Sequence, residues 1–207
     1  MKLLLITVAL GLAGWQFLIK GHSGQYPDVY LPDGTPDVFL LTYEQCGAVC
    51  DKARLHLKSR GIYFNEVDAH KDEERWKELG GPRSFPFLLV GDQQAQGYNP
   101  GFFSSALGES LGTSGLSAQE QRIYAKHFDS AGEPKVVLYG TDWCGYCNRL
   151  RKKLEGDYIA YDYVNMDKPD KKTWLMEAMG IYGYPVVYVG YERVQTPDFE
   201  HVVKALN

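Results

Sequence analysis

The sequence predicts an α/β protein that contains two copies of one domain behind an N-terminal apolar helix. Three observations predict this. A strand-like run ending in threonine occurs twice, as "VFLLT" and "VVLYGT", and a run following a proline also occurs twice, as "FPFLLVG" and "YPVVYVG". Both pairs are displaced by 99 residues, from Thr42 to Thr141 and from Pro86 to Pro185. A repeat of this length indicates a duplicated domain, and residues 3–19 are predominantly apolar.

Each copy alternates segments typical of strands and of helices. In the second copy, "KVVLY", "YIAYDYVNM" and "PVVYVG" are rich in the β-branched and aromatic residues that favour strands. A helix is predicted from about Cys144 to Leu154, where leucines recur at helical spacing. A second helix follows in "KPDKKTWLMEAMG", with Pro169 near its start. A third closes the chain and is capped by Thr196 or Asp198.

The first copy follows the same order, with strands at "VFLL", "YFNEVD" and "FLLV". We place the two domains at residues 37–108 and 134–207. The segments 21–36 and 109–133 are interpreted as linkers, because the first is rich in Gly, Pro and Asp and the second follows the stretch "SSALGESLGTSG" of small residues, which is typical of flexible chain. The second linker also holds a helix that begins with a capping box.

The apolar segment, residues 1–20, predicts either a cleaved signal peptide or an uncleaved membrane anchor. Its apolar part is 17 residues long, at the short end for a helix that spans a bilayer. No clean cleavage site of small residues follows it, and Trp15 and Lys20 occupy positions typical of interfacial anchors, so the anchor is favoured. A buried helix of the soluble part is the alternative. We expect a membrane-anchored protein with both repeats on the extracytoplasmic side, in the periplasm if the source is bacterial.

The composition and net charge exclude some classes of function. The net charge is −4 and the acidic residues are dispersed, so no basic surface for nucleic acid is expected. The chain has four cysteines, which form two close pairs. This arrangement indicates local chemistry, because a small disulfide-stapled scaffold would use more cysteines.

The second cysteine pair lies where a predicted strand gives way to a predicted helix. Cys144 is placed at the helix N-terminus, where unpaired backbone N–H groups and the helix dipole stabilise a thiolate. Cys147 is one turn along and is close enough to attack a mixed disulfide formed on Cys144. The pattern therefore predicts a reactive dithiol. Half of a zinc site and a purely structural disulfide are the alternatives, and a zinc site would need two more ligands at similar spacing.

The first cysteine pair departs from the second. In "CGAVC" three residues separate Cys46 from Cys50, and the matching offset through the helix makes Cys50 the counterpart of Cys147. The longer spacer could leave Cys46 outside the helix turn. Active redox chemistry, a stable local disulfide and a vestigial site all remain open for this pair. His56 and His70 are expected to face solvent.

A strand, a Cys-x-x-Cys pair opening a helix, and a proline before a late strand together resemble the thioredoxin fold. The spelling "TDWCGYC" is similar to glutaredoxins, including their mycoredoxin-like branch. Because the likeness spans nearly the whole of each repeat, the resemblance implies two glutaredoxin-like domains in tandem. The resemblance implies that Pro86 and Pro185 follow cis peptide bonds and face their dithiols. Phe85 and Tyr184 stand where this family usually has valine.

The resemblance also implies which residues contact substrate. Tyr146 resembles the aromatic residue that contacts glutathione, Trp143 packs in front of the dithiol, and Tyr184 and Pro185 line the site. The family's glycine-rich turn for glutathione is incomplete here: the first copy has "QGYNP", and the second has "RVQTPD" without a glycine pair. Glutathione is thus a candidate co-substrate, and no bound cofactor is expected.

These observations predict a thiol–disulfide oxidoreductase that exchanges disulfides through Cys144, with Cys147 resolving. Its partners would be protein disulfides or glutathione. Two alternatives are a non-catalytic module that binds a partner protein and a metal chaperone that uses the thiolates. The direction of exchange stays open among oxidation, reduction and isomerisation.

Overall fold

The computed structural model describes residues 29–168 and 172–207, which form two mixed α/β repeats joined by a helix. The elements of the first repeat are β1 (Val38–Thr42), α1 (Gly47–Lys58), β2 (Asn65–Asp68), α2 (Glu73–Glu78), β3 (Phe87–Val90), β4 (Gln93–Gln96) and α3 (Pro100–Leu111). Those that follow are the connecting helix α4 (Ala118–Tyr124), then β5 (Val136–Gly140), α5 (Gly145–Gly156), β6 (Tyr161–Asn165), α6 (Lys172–Ala178), β7 (Val186–Val189), β8 (Glu192–Arg193) and α7 (Phe199–Ala205).

The two sheets have the same topology, which confirms the predicted duplication of an α/β unit. The strand order is β2-β1-β3-β4 in the first sheet and β6-β5-β7-β8 in the second. In each sheet the first strand of the repeat is parallel to the second and antiparallel to the third. The two central strands are buried along their whole length, because helices cover both faces. This burial accounts for the continuous apolar runs in the sequence.

The repeat begins earlier than the strands. Residues 29–37 and 127–135 form equivalent hairpins, in which Tyr30 bridges Pro36 and Phe128 bridges Pro134. Val29 packs in the core of the first repeat. The part of the predicted linker 21–36 that the structure describes is therefore folded chain. The Gly and Pro residues of this segment predicted a linker, but Gly34 and Pro36 lie in the hairpin.

The predicted flexible stretch "SSALGESLGTSG" is wrong for its first eight residues. They belong to α3, which begins with Asn99 as its cap: the Asn99 side chain accepts hydrogen bonds from the backbone N–H groups of Gly101 and Phe102. The helix buries one side against the first sheet and another against β8 of the second repeat. Small residues occur in it because two domains approach it closely, and sequence composition alone does not separate this cause from flexibility.

The two repeats meet around Arg193, which lies on β8 and is buried. Its guanidinium donates to the side-chain oxygen of Asn99 at 2.9 Å and to the carbonyls of Met179 at 2.7 Å and Gly180 at 3.2 Å. The contact needs glycine at position 101, because a Cβ there would lie 2.1 Å from the Met179 carbonyl oxygen. A cation at the carboxyl end of α6 complements the partial negative charge of the helix terminus. The repeats therefore share one buried polar junction.

A second junction forms around Glu120 of α4, which is buried. The predicted capping box is confirmed: the Ser117 side chain accepts from the Glu120 backbone, and the Glu120 carboxylate accepts from the Ser117 backbone. The same carboxylate pairs with Arg60 of the first repeat and accepts from the Ser104 hydroxyl. His56 lies in this cluster, so the prediction that it faces solvent is wrong. His70 is exposed, as predicted.

Two histidines are buried, His56 and His127. Burial, together with the nearby Arg60 guanidinium, lowers the pKa of His56 to about 3, against the opposing effect of the Glu120 carboxylate. Burial also lowers the pKa of His127 to about 4. The ring of His127 lies 3.0 Å from the Gly190 carbonyl oxygen and 2.7 Å from the Tyr139 hydroxyl. Both rings are therefore neutral in the folded chain at neutral pH.

The predicted apolar helix at residues 1–20 and Pro169 lie outside the described residues. Among the residues that the structure describes, no helix is long and apolar enough to cross a membrane.

We expect the stability of the folded chain to fall as the pH drops below about 6.5. The unfolded chain protonates His127 near an ordinary pKa of about 6.5, whereas the folded chain does so only near 4, so stability is lost between these values. At pH 5 this one histidine costs about 2 kcal/mol relative to pH 8. Urea unfolding across this range measures the slope.

The His127→Asn variant should have a slope smaller by about one proton, whereas His70→Asn should keep the slope of the wild type. An unchanged slope in His127→Asn would contradict the assignment.

Candidate active site at the start of α5

The loop between β5 and α5 places the second cysteine pair at the first turn of the helix. Cys144 is the N-cap residue, with an extended backbone, and its Sγ accepts a hydrogen bond from the backbone N–H of Cys147 at 3.1 Å. The two cysteines form a disulfide, with their Cα atoms 5.3 Å apart. The structure thus brings the two residues together as predicted, and the sulfur of Cys144 lies among the unpaired N–H groups of the helix.

The two sulfurs differ in solvent exposure and in the residues that pack against them. Cys144 is 6% exposed and Cys147 is fully buried. Cys147 packs on Gly140 of β5, where a Cβ would lie 2.9 Å from the Cys147 Sγ, so a larger residue would displace the sulfur. Gly140 was not predicted as a site residue. A comparison of "VVLYGT" with "VFLLT" could have identified it, because the first repeat has Leu41 at the position equivalent to Gly140.

A groove of about 470 Å³ opens beside Cys144. One wall is α5, and the other is formed by the residues before β7 and at the start of α7. The lining residues are Tyr146, Arg149, Leu150, Lys153, Tyr184, Pro185, Thr196, Pro197, Asp198 and Phe199. Of the predicted substrate-binding residues, the structure brings Tyr146, Tyr184 and Pro185 together in this groove.

Two cations stand along the α5 wall of the groove. The Arg149 guanidinium lies 4.4 Å from the centre of the Tyr146 ring, and the Lys153 ammonium lies 5.9 Å from the centre of the Phe199 ring. Contact with an aromatic face holds each cation at the groove by attraction to the ring quadrupole. The groove therefore offers positive charge beside aromatic surface, which suits an anionic ligand.

Asp198 stands at the far end of the groove as the cap of α7. Its carboxylate accepts from the backbone N–H of His201 at 3.0 Å and lies 2.7 Å from the His201 ring. The hydrogen bond from the His201 backbone holds the pKa of this carboxyl below its ordinary value. Asp198, rather than Thr196, is thus the cap, and it supplies the only carboxylate that lines the groove.

The peptide bonds before Pro86 and Pro185 are both cis, as the resemblance implies. Pro185 and the preceding Tyr184 line the groove, and Tyr184 packs against the cluster that contains Cys144 and Cys147. The departure from valine at position 184 places an aromatic ring there, and the Tyr184 hydroxyl approaches the sulfur of Met176 at 3.8 Å.

Trp143 directly precedes Cys144 and does not line the groove. Its side chain is 74% exposed. Its indole N–H donates to Asp167 at 3.0 Å, and its ring meets the Tyr184 ring edge-on with the centres 6.3 Å apart. Asp167 was not predicted, since nothing in the sequence links position 167 to position 143.

The first cysteine pair is built differently. A short 3-10 turn, Glu44–Cys46, absorbs the extra residue, so that Cys46 still precedes α1. Cys46 has helical backbone angles, and its sulfur accepts no hydrogen bond from the helix N–H groups, in contrast to Cys144. Cys46 and Cys50 form a disulfide with a Cα separation of 5.6 Å. Cys46 therefore keeps its place before the helix and differs from Cys144 in backbone conformation, which is helical at Cys46 and extended at Cys144.

The groove of the first repeat is smaller and is lined in part by the rest of the chain. The equivalent positions of α1 and of the start of α3, among them Lys52, His56, Tyr98 and Pro100, line a smaller cavity of about 280 Å³. Its other side is formed by residues of the connecting helix and of α6, namely Ser117, Gln119, Glu120, Glu177 and Ala178. The junction between the repeats therefore occupies the place that is open in the second repeat.

Within the described residues, no group of three or more His, Cys, Asp or Glu side chains is arranged to hold a metal ion.

Comparison with known proteins agrees with the geometry of the second repeat. The family model described as Glutaredoxin matches residues 136–194. The glutaredoxin of Pseudomonas aeruginosa is 29% identical over 72 residues, which are 34% of this chain and 86% of that protein. Mycoredoxin 1 of Corynebacterium glutamicum is 42% identical over 36 residues, which are 17% of this chain and 43% of that protein.

Two proteins with thioredoxin domains also match. Thioredoxin domain-containing protein R362 of Acanthamoeba polyphaga mimivirus is 26% identical over 84 residues, which are 36% of this chain and 24% of that protein, so the chain spans about a quarter of its length. The first two thioredoxin domains of Saccharomyces cerevisiae Eps1p superpose with a TM-score of 0.28 and 10% identity, over 82% of this chain and 91% of that structure. At that score the superposition does not relate the two domain arrangements.

The family match over residues 136–194, the topology of the second sheet, the cysteine pair at the start of α5 and the cis peptide bond before Pro185 concur. Through its second repeat, the chain is similar to glutaredoxin-like proteins of the thioredoxin fold.

Proposed function

We propose that the chain is a thiol–disulfide oxidoreductase in which Cys144 attacks and Cys147 resolves. One observation carries the proposal: two cysteines share the first turn of α5, and the one nearer the surface has its sulfur beside a helix N–H group. The glutaredoxin relatives imply thiol–disulfide redox chemistry in general. The assignment of roles to the two sulfurs is ours.

The exchange proceeds in two substitutions at sulfur. The Cys144 thiolate attacks one sulfur of the substrate disulfide, the S–S bond breaks, and the other sulfur leaves as a thiolate. The Cys147 thiolate then attacks the Cys144 Sγ and releases the second substrate sulfur. The substrate is reduced to two thiols, and the chain is oxidised to the Cys144–Cys147 disulfide that the structure contains. The reverse sequence would oxidise a substrate dithiol.

The start of α5 favours Cys144 as the attacking group. A thiolate at a helix N-terminus is stabilised by free N–H groups and by the helix dipole, which lowers its pKa below the ordinary value of about 8.5. Arg149 adds positive charge one turn along. Cys147 is buried against Gly140 and therefore reaches only a sulfur that is already bound to Cys144.

We propose glutathione as a co-substrate that binds in the groove. Arg149 and Lys153 suit its two carboxylates, and Asp198 suits its ammonium group. The incomplete glycine-rich turn of the second repeat leaves Thr196 and Asp198 in its place. Protein disulfides are the other substrate class.

We assign the exchange to the second repeat. The first repeat keeps a disulfide at the start of its helix, but the Cys46 sulfur lacks the N–H contact. Residues of α4 and α6 also reduce its groove to about 280 Å³. We propose that the Cys46–Cys50 disulfide stabilises the start of α1.

We further propose that residues 3–19 hold the chain at a membrane, with both repeats on the extracytoplasmic side. The apolar run without an evident cleavage site supports this, and disulfides persist in oxidising compartments.

Replacing Cys144 by Ser should abolish reaction with disulfides, because no nucleophile remains at the surface. Cys147→Ser should still attack and should accumulate a mixed disulfide with the substrate, because nothing resolves it. Mass spectrometry after incubation with a protein disulfide separates the two outcomes. If Cys147 alkylates before Cys144, or if both titrate as ordinary thiols, the assigned roles are incorrect.

The double variant Cys46→Ser, Cys50→Ser should retain most of the exchange rate of the wild type while losing about 2–4 kcal/mol of stability, as is typical for a removed disulfide. Rates on a model disulfide and urea unfolding measure the two effects. A double variant as inactive as Cys144→Ser would mean that the first pair takes part in turnover.

For the membrane proposal, carbonate extraction should leave the full-length chain in the membrane fraction. A reporter that is active only in an oxidising compartment, fused to the C-terminus, should be active. Recovery of full-length chain in the soluble fraction would rule out the anchor.

A further inference from the structure

A cleft of about 750 Å³ opens in the second repeat and shares no lining residue with the groove beside Cys144. Successive residues of a strand point to opposite faces of a sheet. On β5, Leu138 packs in the cluster that contains both cysteines of this repeat. The next residue, Tyr139, packs with Ile123 of α4 and Leu175 of α6, and it lines the cleft. The cleft therefore lies on the face of the sheet opposite the dithiol.

The body of the cleft is apolar. It lies between α4 and α6 and is lined by Ile123, Val164 and Trp174, of which the indole is 43% exposed. The hydroxyl of Tyr139 lies 2.7 Å from Nε2 of His127, so it is already engaged in a hydrogen bond. Ligand cavities in proteins typically have volumes of about 300–1,000 Å³ and a mainly apolar lining. The cleft thus has the size and surface of a site for a ligand with a hydrocarbon body.

Two cations stand on the α4 wall of this cleft. Arg122 lies on α4 and Lys126 on the 3-10 turn that follows it, one helical turn further along, and both are exposed. Within the described part of the chain, neither cation forms an ion pair with a carboxylate. The residues that line the cleft include no Asp or Glu. The wall therefore complements a negatively charged group at one end of an apolar ligand.

We propose that the cleft binds a long-chain fatty acid, with its carboxylate at Arg122 and Lys126 and its hydrocarbon chain between α4 and α6. Removal of the chain from water supplies the binding free energy, and charge-assisted hydrogen bonds to the two cations select an acid over an alcohol of equal length. A polypeptide fits less well, because apolar walls leave its backbone groups without hydrogen-bond partners. The inference is independent of the proposed exchange activity, because the cleft and the dithiol site have no residue in common.

The test uses the full-length chain in phosphatidylcholine nanodiscs and two probes, myristic acid and myristyl alcohol, each with a photoreactive diazirine at the end of its chain. After irradiation, mass spectrometry should locate the adduct of the acid on peptides from α4, β6 or α6. The probe concentration that gives half-maximal labelling measures binding. Each variant is compared with the wild type for the same probe, so that partition of the probe into lipid cancels.

The double variant Arg122→Gln, Lys126→Gln should need about 5- to 10-fold more of the acid, because the carboxylate loses two charged partners. The same variant should need an amount of the alcohol within about twofold of the wild type, because the alcohol carries no charge. The control Arg83→Gln, Lys152→Gln removes one arginine and one lysine that are exposed and lie outside the cleft. It should bind both probes as the wild type does.

Ala125→Trp tests the hydrocarbon part of the site. Ala125 lines the cleft and is exposed, so an indole there should occupy the cleft without disturbing the core. We expect labelling of the cleft by both probes to be lost in this variant. Because Ala125→Trp acts by filling space, it should keep the far-UV circular dichroism of the wild type.

Several results would overturn the inference. One is a wild-type chain with no adduct of the acid at the cleft. Another is a charge variant that keeps its binding of the acid or that loses both probes equally. Labelling of Ala125→Trp at the wild-type level would place the probe outside the cleft. A wild-type dimer that gives no adduct and that separates into monomers in Ala125→Trp, as measured by light scattering, would assign the cleft to a second copy of the chain instead.

Discussion

The free N–H groups at the first turn of α5 are the constraint on which the chemistry of the second repeat depends. They need an acceptor, and the chain provides a sulfur where most helices provide an oxygen. The rest of the site follows from that choice. Gly140 makes room behind the second sulfur, the cis bond before Pro185 brings the β7 loop alongside, and the loop from Asp142 is tied to β6. The helix start thus fixes where every other group has to lie.

Comparison of the two repeats shows how few differences accompany the change from the larger groove of the second repeat to the smaller one of the first. Both have a cysteine pair at a helix start and a cis-proline opposite. One inserted residue changes the backbone of Cys46 from extended to helical, which removes the N–H contact to its sulfur. The connecting helix and α6 then cover the neighbouring groove. The first repeat packs against the second through α3 and the residues around Arg193.

The sequence was sufficient to predict features that recur at fixed spacing. The duplication, the central strands, the capping box at Ser117 and the pairing of Cys144 with Cys147 all follow from patterns within a few residues or from the 99-residue offset. The cis bonds before Pro86 and Pro185 came from the family resemblance.

Other features depend on partners that are distant in sequence. Asp167 is 24 residues from Trp143, and Arg193 is 94 residues from Asn99. His56 looked like a surface residue because the residues that contact it, Tyr98 and Ser104, come 42 and 48 residues later. The small residues of α3 had two readings, flexible chain or close packing, and only the presence of the second repeat decides between them.

The junction around Arg193 also bears on how such a chain can evolve. A freshly duplicated pair of domains can drift apart, because each copy still folds without the other. Here the guanidinium from one copy satisfies carbonyls in its own copy and an amide in the other, and Gly101 has no space for a side chain. A substitution at one of these positions in either copy would change the packing of both copies. The fusion therefore resembles a one-way step. Loss of the first half would expose the buried charge of Arg193, and loss of the second half would uncover Asn99 and Gly101.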